Sequence, residues 1–192
     1  EIGFYQECGL TTEWKAPEYL YRRAALAGLK GDRYKAQRAA CNAFEKQAHS
    51  TERPYRSADE AAARTLLQRW VKDRTERHPD PIYRHMLQDS KSVHRHALAE
   101  AEELGLNGWV IEVSGDLAGY TFGFQQDRET FCILLEVADL KWKGAAAYLF
   151  RSFCRSLTAS ISDGVRKMTT RSCFIPELRP PPAPRCPGHP RS

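Results

Sequence analysis

TFCILLEVADLKWKGAAAYLFRSFCRSL, residues Thr130 to Leu157, decides the fold, because its period changes midway. Thr130 to Val137 is a continuous apolar run of aromatic and β-branched residues broken only by Glu136, the pattern of a strand covered on both faces. From Gly144 onward, Ala147, Leu149, Phe150, Phe153, Cys154 and Leu157 recur at spacings of three and four, which predicts a helix with one buried stripe. Between them, Ala138-Asp139-Leu140-Lys141-Trp142-Lys143-Gly144 is a short basic connection ending on small residues. A buried strand, a basic turn and a helix opening on Gly and Ala can aim backbone N–H groups at an anion. The turn is therefore the candidate ligand site.

Upstream, the period is two. Trp109, Ile111 and Val113 alternate, Ser114-Gly115-Asp116 makes a tight turn, and Leu117 to Phe124 returns with Tyr120, Phe122 and Phe124 on one face. Gln126 to Glu129 then turns into the strand at Thr130. This is a meander of three antiparallel strands followed by a strand-to-helix crossover. Further upstream the period is helical. Ser57-Ala58-Asp59-Glu60 reads as a capping box opening a helix through Arg74, with Ala62, Leu66, Leu67, Trp70 and Val71 inside. His78-Pro79-Asp80-Pro81 breaks it, and Asp89 to Leu104 is a second amphipathic helix ended by Gly105. His94 and His96 are two apart, point in different directions and read as solvated. His49 to Tyr55 reads as a loop held extended by Pro54, and Tyr19 to Leu29 as a short helix with Gly31 as its C-cap. Helices, a meander and a crossover together predict an α/β (α+β) fold with a mixed sheet flanked by helices.

The 192 residues suffice for one domain of ordinary size, expected over 1–160, with a tail over 161–192. Seven of the eleven prolines fall between Pro176 and Ser192, and this tail reads as disordered. Thr158 to Thr170 offers only Ile161, Val165 and Met168, so the strand that should follow the crossover helix is expected to be missing, as if the frame shifted near Ser160. No apolar run is long enough to cross a membrane. Glu1 to Gly9 has no signal-peptide pattern, and the start without Met suggests a piece of something longer. Glu1 to Pro17 reads as a loop and strand entering the domain. The six cysteines are scattered without paired spacing, which argues against zinc or a disulfide framework and for reduced, cytoplasmic thiols. Cys132 and Cys154 fall within apolar patterns and read as core.

Charge is uneven. Of the net +5, Arg22 to Lys46 carries +5 and Gly164 to Ser192 another +5, leaving −5 on the rest. Asp32 to Ala48 predicts a helix capped by Asp32, on which Lys35, Arg38 and Asn42 share a face and Arg33 falls near Gln37. Such a face reads either as solvated charge or as a phosphate-binding surface.

Leu29 to Phe44, LKGDRYKAQRAACNAF, resembles the Leu-Lys-Gly-(Arg)-x-Tyr-x-x-(Lys/Arg)-Arg-x-x-x-Asn-x-Phe signature of a bacterial family related to the C-terminal domain of phosphatidylglycerol lysyltransferase. The stretch from Ala97 through Cys154 is similar to that family's helix, hairpin, strand and helix. The resemblance implies a fold of the Gcn5-related N-acyltransferase type, commonly two such units in tandem. In that fold a (Gln/Arg)-x-x-Gly-x-(Gly/Ala) turn cradles the pyrophosphate of an acyl carrier. Lys141-Trp142-Lys143-Gly144-Ala145-Ala146 looks like that turn, with Lys in the first position, so Lys141, Lys143, Gly144 and Ala145 are the implied cofactor-binding residues. Acyl-CoA or aminoacyl-tRNA is the implied co-substrate, and an anionic lipid surface, touched peripherally, the implied partner. Attack of a hydroxyl or amine on an ester needs a base, for which Glu136 and Asp139 are the candidates, Glu136 with its pKa raised by desolvation. Arg33, Lys35, Arg38 and Asn42 are the implied phosphate or substrate contacts. Two readings stand against the transferase: a non-catalytic binder of RNA or anionic lipid, and an inactive fragment.

Overall fold

The computed structural model describes residues 20–47, 49–157 and 165–170. In chain order the elements are β1 (Leu20–Arg22), α1 (Arg23–Gly28), a 3-10 turn (Asp32–Tyr34), α2 (Lys35–Gln47), β2 (Ser50–Pro54), a 3-10 turn (Ser57–Asp59), α3 (Glu60–Arg77), α4 (Pro81–Ala99), β3 (Asn107–Val113), β4 (Asp116–Gln125), β5 (Thr130–Ala138), α5 (Ala145–Ser156) and β6 (Lys167–Thr170). The sheet order is β1-β6-β5-β4-β3-β2. Every pairing is antiparallel except β5 with β6, which is parallel. The mixed α/β sheet flanked by helices is the fold class that the sequence predicts.

The β3–β4 hairpin turns on Ser114 and Gly115, both left-handed at φ 56 and 86. Two consecutive left-handed residues make the turn whose twist matches that of the strands. On one face of the sheet, Leu66, Leu67, Trp70 and Val71 of α3 and Leu87, Ala97 and Leu98 of α4 cover Val110, Tyr120, Phe122, Leu135 and Val137. On the other, α2 and α5 bring Cys41, Phe44, Tyr148 and Leu149 onto Ile111, Val113 and Ala118. Beside them Leu26, Phe150, Phe153, Cys154 and Met168 enclose Phe131 and Ile133.

One strand thus serves both layers. Gly123 lies opposite Ile133 while its neighbour Phe122 lies opposite Leu135, so Leu134 is an extra residue, a β-bulge. A one-residue slip exchanges faces. Phe131 and Ile133 therefore pack beneath α5, whereas Leu135 and Val137 pack beneath α3 and α4. Pairing of β5 with β6 runs from Thr130 opposite Lys167 to Ile133 opposite Thr170 and, among the described residues, extends no further along β5.

Several expectations change. A strand does follow the crossover helix: β6 forms within the expected tail and is held by Arg166 and Lys167 amides donating to the Glu129 carbonyl, both at 2.9 Å. The remainder of that tail, the frame shift near Ser160, the entry segment Glu1 to Pro17, and Cys8, Cys173 and Cys186 lie outside the described residues. His49 to Tyr55 is not a loop but contains the edge strand β2, paired with β3 from Ser50 to Pro54. Pro54 is tolerated because it ends an edge strand. Within β2, Glu52 accepts hydrogen bonds from the Tyr148 and Ser152 hydroxyls of α5, and Trp109 Nε1 donates to Ser152 Oγ at 2.7 Å. The expected helix from Tyr19 begins instead with β1, and its left-handed cap is Leu29, whose amide reaches the Ala25 carbonyl. The capping carboxylate before α3 is Asp59, accepting the Arg56 amide at 2.8 Å. Helix α4 starts eight residues before Asp89, where the Asp80 carboxylate accepts the Ile82 amide and Pro81 takes the first helical position. His94 is not solvated: it is 4% exposed and its Nδ1 lies 3.0 Å from the Tyr120 hydroxyl. Burial pushes its pKa down to about 4.

Candidate functional site

The turn between β5 and α5 is built by Asp139 and Gly144. Asp139 leaves β5 with its amide on the Ala118 carbonyl at 2.8 Å, and its carbonyl accepts the Trp142 amide. Its carboxylate accepts the Lys141 amide at 2.9 Å. The other carboxylate oxygen lies 3.4 Å from Arg69 Nη2 of α3. Asp139 therefore holds the turn closed.

Gly144 sits at φ 86 and ψ 0, immediately before the first turn of α5. A Cβ there would lie 2.0 Å from the Ala40 carbonyl oxygen of α2. Both the left-handed backbone and the contact require glycine. The two stretches that carry the family resemblance, 29–44 and 97–154, thus meet at Ala40 and Gly144. The Ala145 amide donates to Trp142 and the Tyr148 amide to Gly144, so α5 begins within the turn itself. Ala145 is buried.

Lys141 and Lys143 are exposed on this turn, and Lys141 Nζ stands 4.9 Å from the centre of the Trp142 ring. The turn thus carries two exposed lysines, and Arg69 reaches it from α3 through Asp139. Arg69 was not legible as a site residue, since on α3 it is one of several exposed basic positions.

Glu136 lies on β5 past the bulge, half-buried and opposite Thr121 of β4. The Thr121 hydroxyl is taken by the Leu135 carbonyl at 2.9 Å. Burial, and then the Glu136 charge, raise the pKa of the Cys154 thiol, which keeps that buried cysteine an inert part of the core. Cys132 and Cys41 are buried as well, and burial likewise raises Cys41. Glu136 is therefore on the α5 side of the sheet, in the part of β5 that β6 leaves uncovered among the described residues.

The second cluster is only partly assembled. Arg38 turns inward, its Nη1 donating to the carbonyls of Leu29 and, at 2.6 Å, Gly31. It ties the left-handed end of α1 to α2. Arg33 stacks its guanidinium 4.8 Å from the centre of the Tyr34 ring, and Lys35 and Asn42 are exposed. Lys35 and Asn42 are two helical turns apart and share a face, while Cys41 and Phe44 anchor the opposite one. The structure joins Asp139, Lys141, Lys143, Gly144 and Ala145 in one turn and lays α2 across it through Ala40.

No helix among the described residues is long and apolar enough to cross a membrane. Nor do the described residues hold a group of three or more His, Cys, Asp or Glu that could bind a metal ion.

Residues 2–165 match the family profile described as phosphatidylglycerol lysyltransferase, C-terminal. No curated protein matches the chain. Among solved structures, a conserved protein of unknown function from Bacteroides thetaiotaomicron is similar with a TM-score of 0.67 and 25% identity, over 79% of this chain and 49% of that one. The C-terminal domain of a candidate lysylphosphatidylglycerol synthetase from Agrobacterium fabrum follows at 0.48 and 14%, over 79% of this chain and 45% of that one. An N-acetyltransferase from Thermoplasma acidophilum in complex with coenzyme A matches at 0.45 and 9%, over 57% and 72%. The chain thus spans about half the length of the Bacteroides and Agrobacterium chains.

Proposed function

The chain belongs to the family of phosphatidylglycerol lysyltransferase C-terminal domains, and from that membership and the geometry of the β5–α5 turn we propose that it is an acyl- or aminoacyl-transferase domain. The observation that carries the reading is the turn itself. Glycine is imposed at residue 144 by the α2 backbone, small residues open α5, Lys141 and Lys143 lie exposed on the turn, and Arg69 reaches it through Asp139. A helix N-terminus with flanking cations suits the phosphates of an acyl carrier, acyl-CoA or aminoacyl-tRNA. The solved acetyltransferase with coenzyme A supplies the donor class by analogy only.

Glu136 is the group we assign to proton transfer. It takes the proton from the hydroxyl or amine of the acceptor as that atom attacks the carbonyl carbon of the donor ester or thioester. The tetrahedral intermediate collapses with cleavage of the bond to the leaving thiol or ribose oxygen, which recovers the proton. Asp139 contributes by fixing the turn, and Lys35 and Asn42, on the exposed face of α2, are assigned to phosphate contacts. Lipid as acceptor, and peripheral contact with an anionic membrane, follow from family membership alone.

The test is single-turnover transfer from acetyl-CoA and from lysyl-tRNA to a phosphatidylglycerol or amine acceptor. Glu136→Gln should lower the rate by about 100-fold or more and leave donor affinity unchanged. An unaltered rate removes Glu136 from the chemistry.

A further inference from the structure

Between α3 and α4 lies a groove of about 180 Å³ lined by Arg64, Leu67, Gln68, Lys91 and Arg95. Three of its five lining side chains are cationic. Lys91 and Arg95 stand four apart on α4, a like-charge spacing that disfavours a helix. Arg64 faces them from α3. Its Nε is fixed by Glu60 at 2.7 Å, and its Nη2 donates to the Arg95 carbonyl at 3.4 Å. That carboxylate engages Arg64; neither Lys91 nor Arg95 has an ion-pair partner among the described residues, although Lys91 is half-buried. Converging cations in a concave space repel one another in the empty fold, and an anion in the groove relieves that repulsion.

We propose that Arg64, Lys91 and Arg95 form a binding site for a phosphate group, monoester or diester, separate from the β5–α5 turn. The groove is several times the share of volume taken by one water in the liquid, roughly 30 Å³, and so has room for one tetrahedral anion. Arg64 is the preorganised member, with one amino group left over after its bonds to Glu60 and Arg95. Half-buried Lys91 supplies a point charge, exposed Arg95 a second guanidinium, and Gln68 a neutral donor. Gln68 is followed in α3 by Arg69, which touches the turn through Asp139. The groove needs no ligand at the turn to bind.

Inorganic phosphate is titrated into the isotope-labelled chain at low ionic strength while backbone amide shifts are followed. We expect saturable shifts at Lys91 and Arg95. Lys91→Ala/Arg95→Ala should weaken binding by about tenfold or more with unfolding midpoint unchanged, and Lys91→Arg should retain it. Lys141→Ala/Lys143→Ala should leave these shifts intact, which separates this site from the turn. Comparing CoA with 3′-dephospho-CoA then assigns the phosphate: discrimination lost in the groove variant places a donor phosphate there, and its absence assigns the groove to a separate phosphate-bearing ligand. No saturable response at Lys91 and Arg95, or an unchanged response in the double variant, overturns the proposal.

Discussion

Ala40 and Gly144 touch where only glycine fits at residue 144: a Cβ there would lie 2.0 Å from the Ala40 carbonyl oxygen, with Gly144 at φ 86. Gly144→Ala must pay for a left-handed alanine and for separating α2 from the turn. We expect a loss above about 3 kcal/mol in urea unfolding, and weaker donor binding. A loss below about 1 kcal/mol would mean that α2 yields freely.

Asp139 and Arg69 brace the same turn from the other side. Asp139→Ala should cost about 1 kcal/mol and speed hydrogen exchange at the Lys141 amide. Arg69 is 57% exposed, so Arg69→Ala should cost under about 1 kcal/mol while weakening donor binding. Equal exchange at Lys141 in wild type and Asp139→Ala would remove the brace.

Arg38 tests whether α2 presents its cations or uses them. It bonds to Leu29 and Gly31 carbonyls, so Arg38→Ala should destabilise by about 1–3 kcal/mol. Lys35→Ala, at an exposed position, should leave stability unchanged and weaken phosphate-bearing ligands slightly. The reverse pattern would restore Arg38 as a ligand contact.

His94 gives the fold a pH dependence. Its pKa is about 4 in the fold against an ordinary 6.5, so the unfolded chain binds the proton more readily. The stabilisation is fully present above pH 6.5 and declines as pH falls from 6.5 towards 4. The full loss is roughly 3 kcal/mol, and His94→Gln should flatten denaturant midpoints across that window. An unchanged slope would assign the acid sensitivity to other groups.

The elements legible in the sequence are those whose burial is one-sided or complete: the β3–β5 meander, the stripe of α5, and the apolar face of α3. Strand β2 was not, because Ser50-Thr51-Glu52-Arg53-Pro54 is an edge strand whose side chains are polar and mostly exposed; its pairing to β3 leaves no hydrophobic alternation. Strand β6 is four residues long and its evidence is Met168 packed under α5. His94 looked solvated because nothing local reveals that Tyr120, on another element, would meet it. The turn at Lys141–Ala145 was readable from its own residues, whereas its supports, Arg69 and Ala40, come from helices distant in sequence and became visible only on folding.

The most direct test of the central claim is calorimetric titration of CoA and of lysyl-tRNA into the wild-type chain and into Lys141→Ala/Lys143→Ala. The account predicts that at least one of these carriers binds saturably, and that the double substitution weakens it by about tenfold or more without changing the unfolding midpoint. Failure of both to bind, or equal affinity in the two proteins, would contradict it.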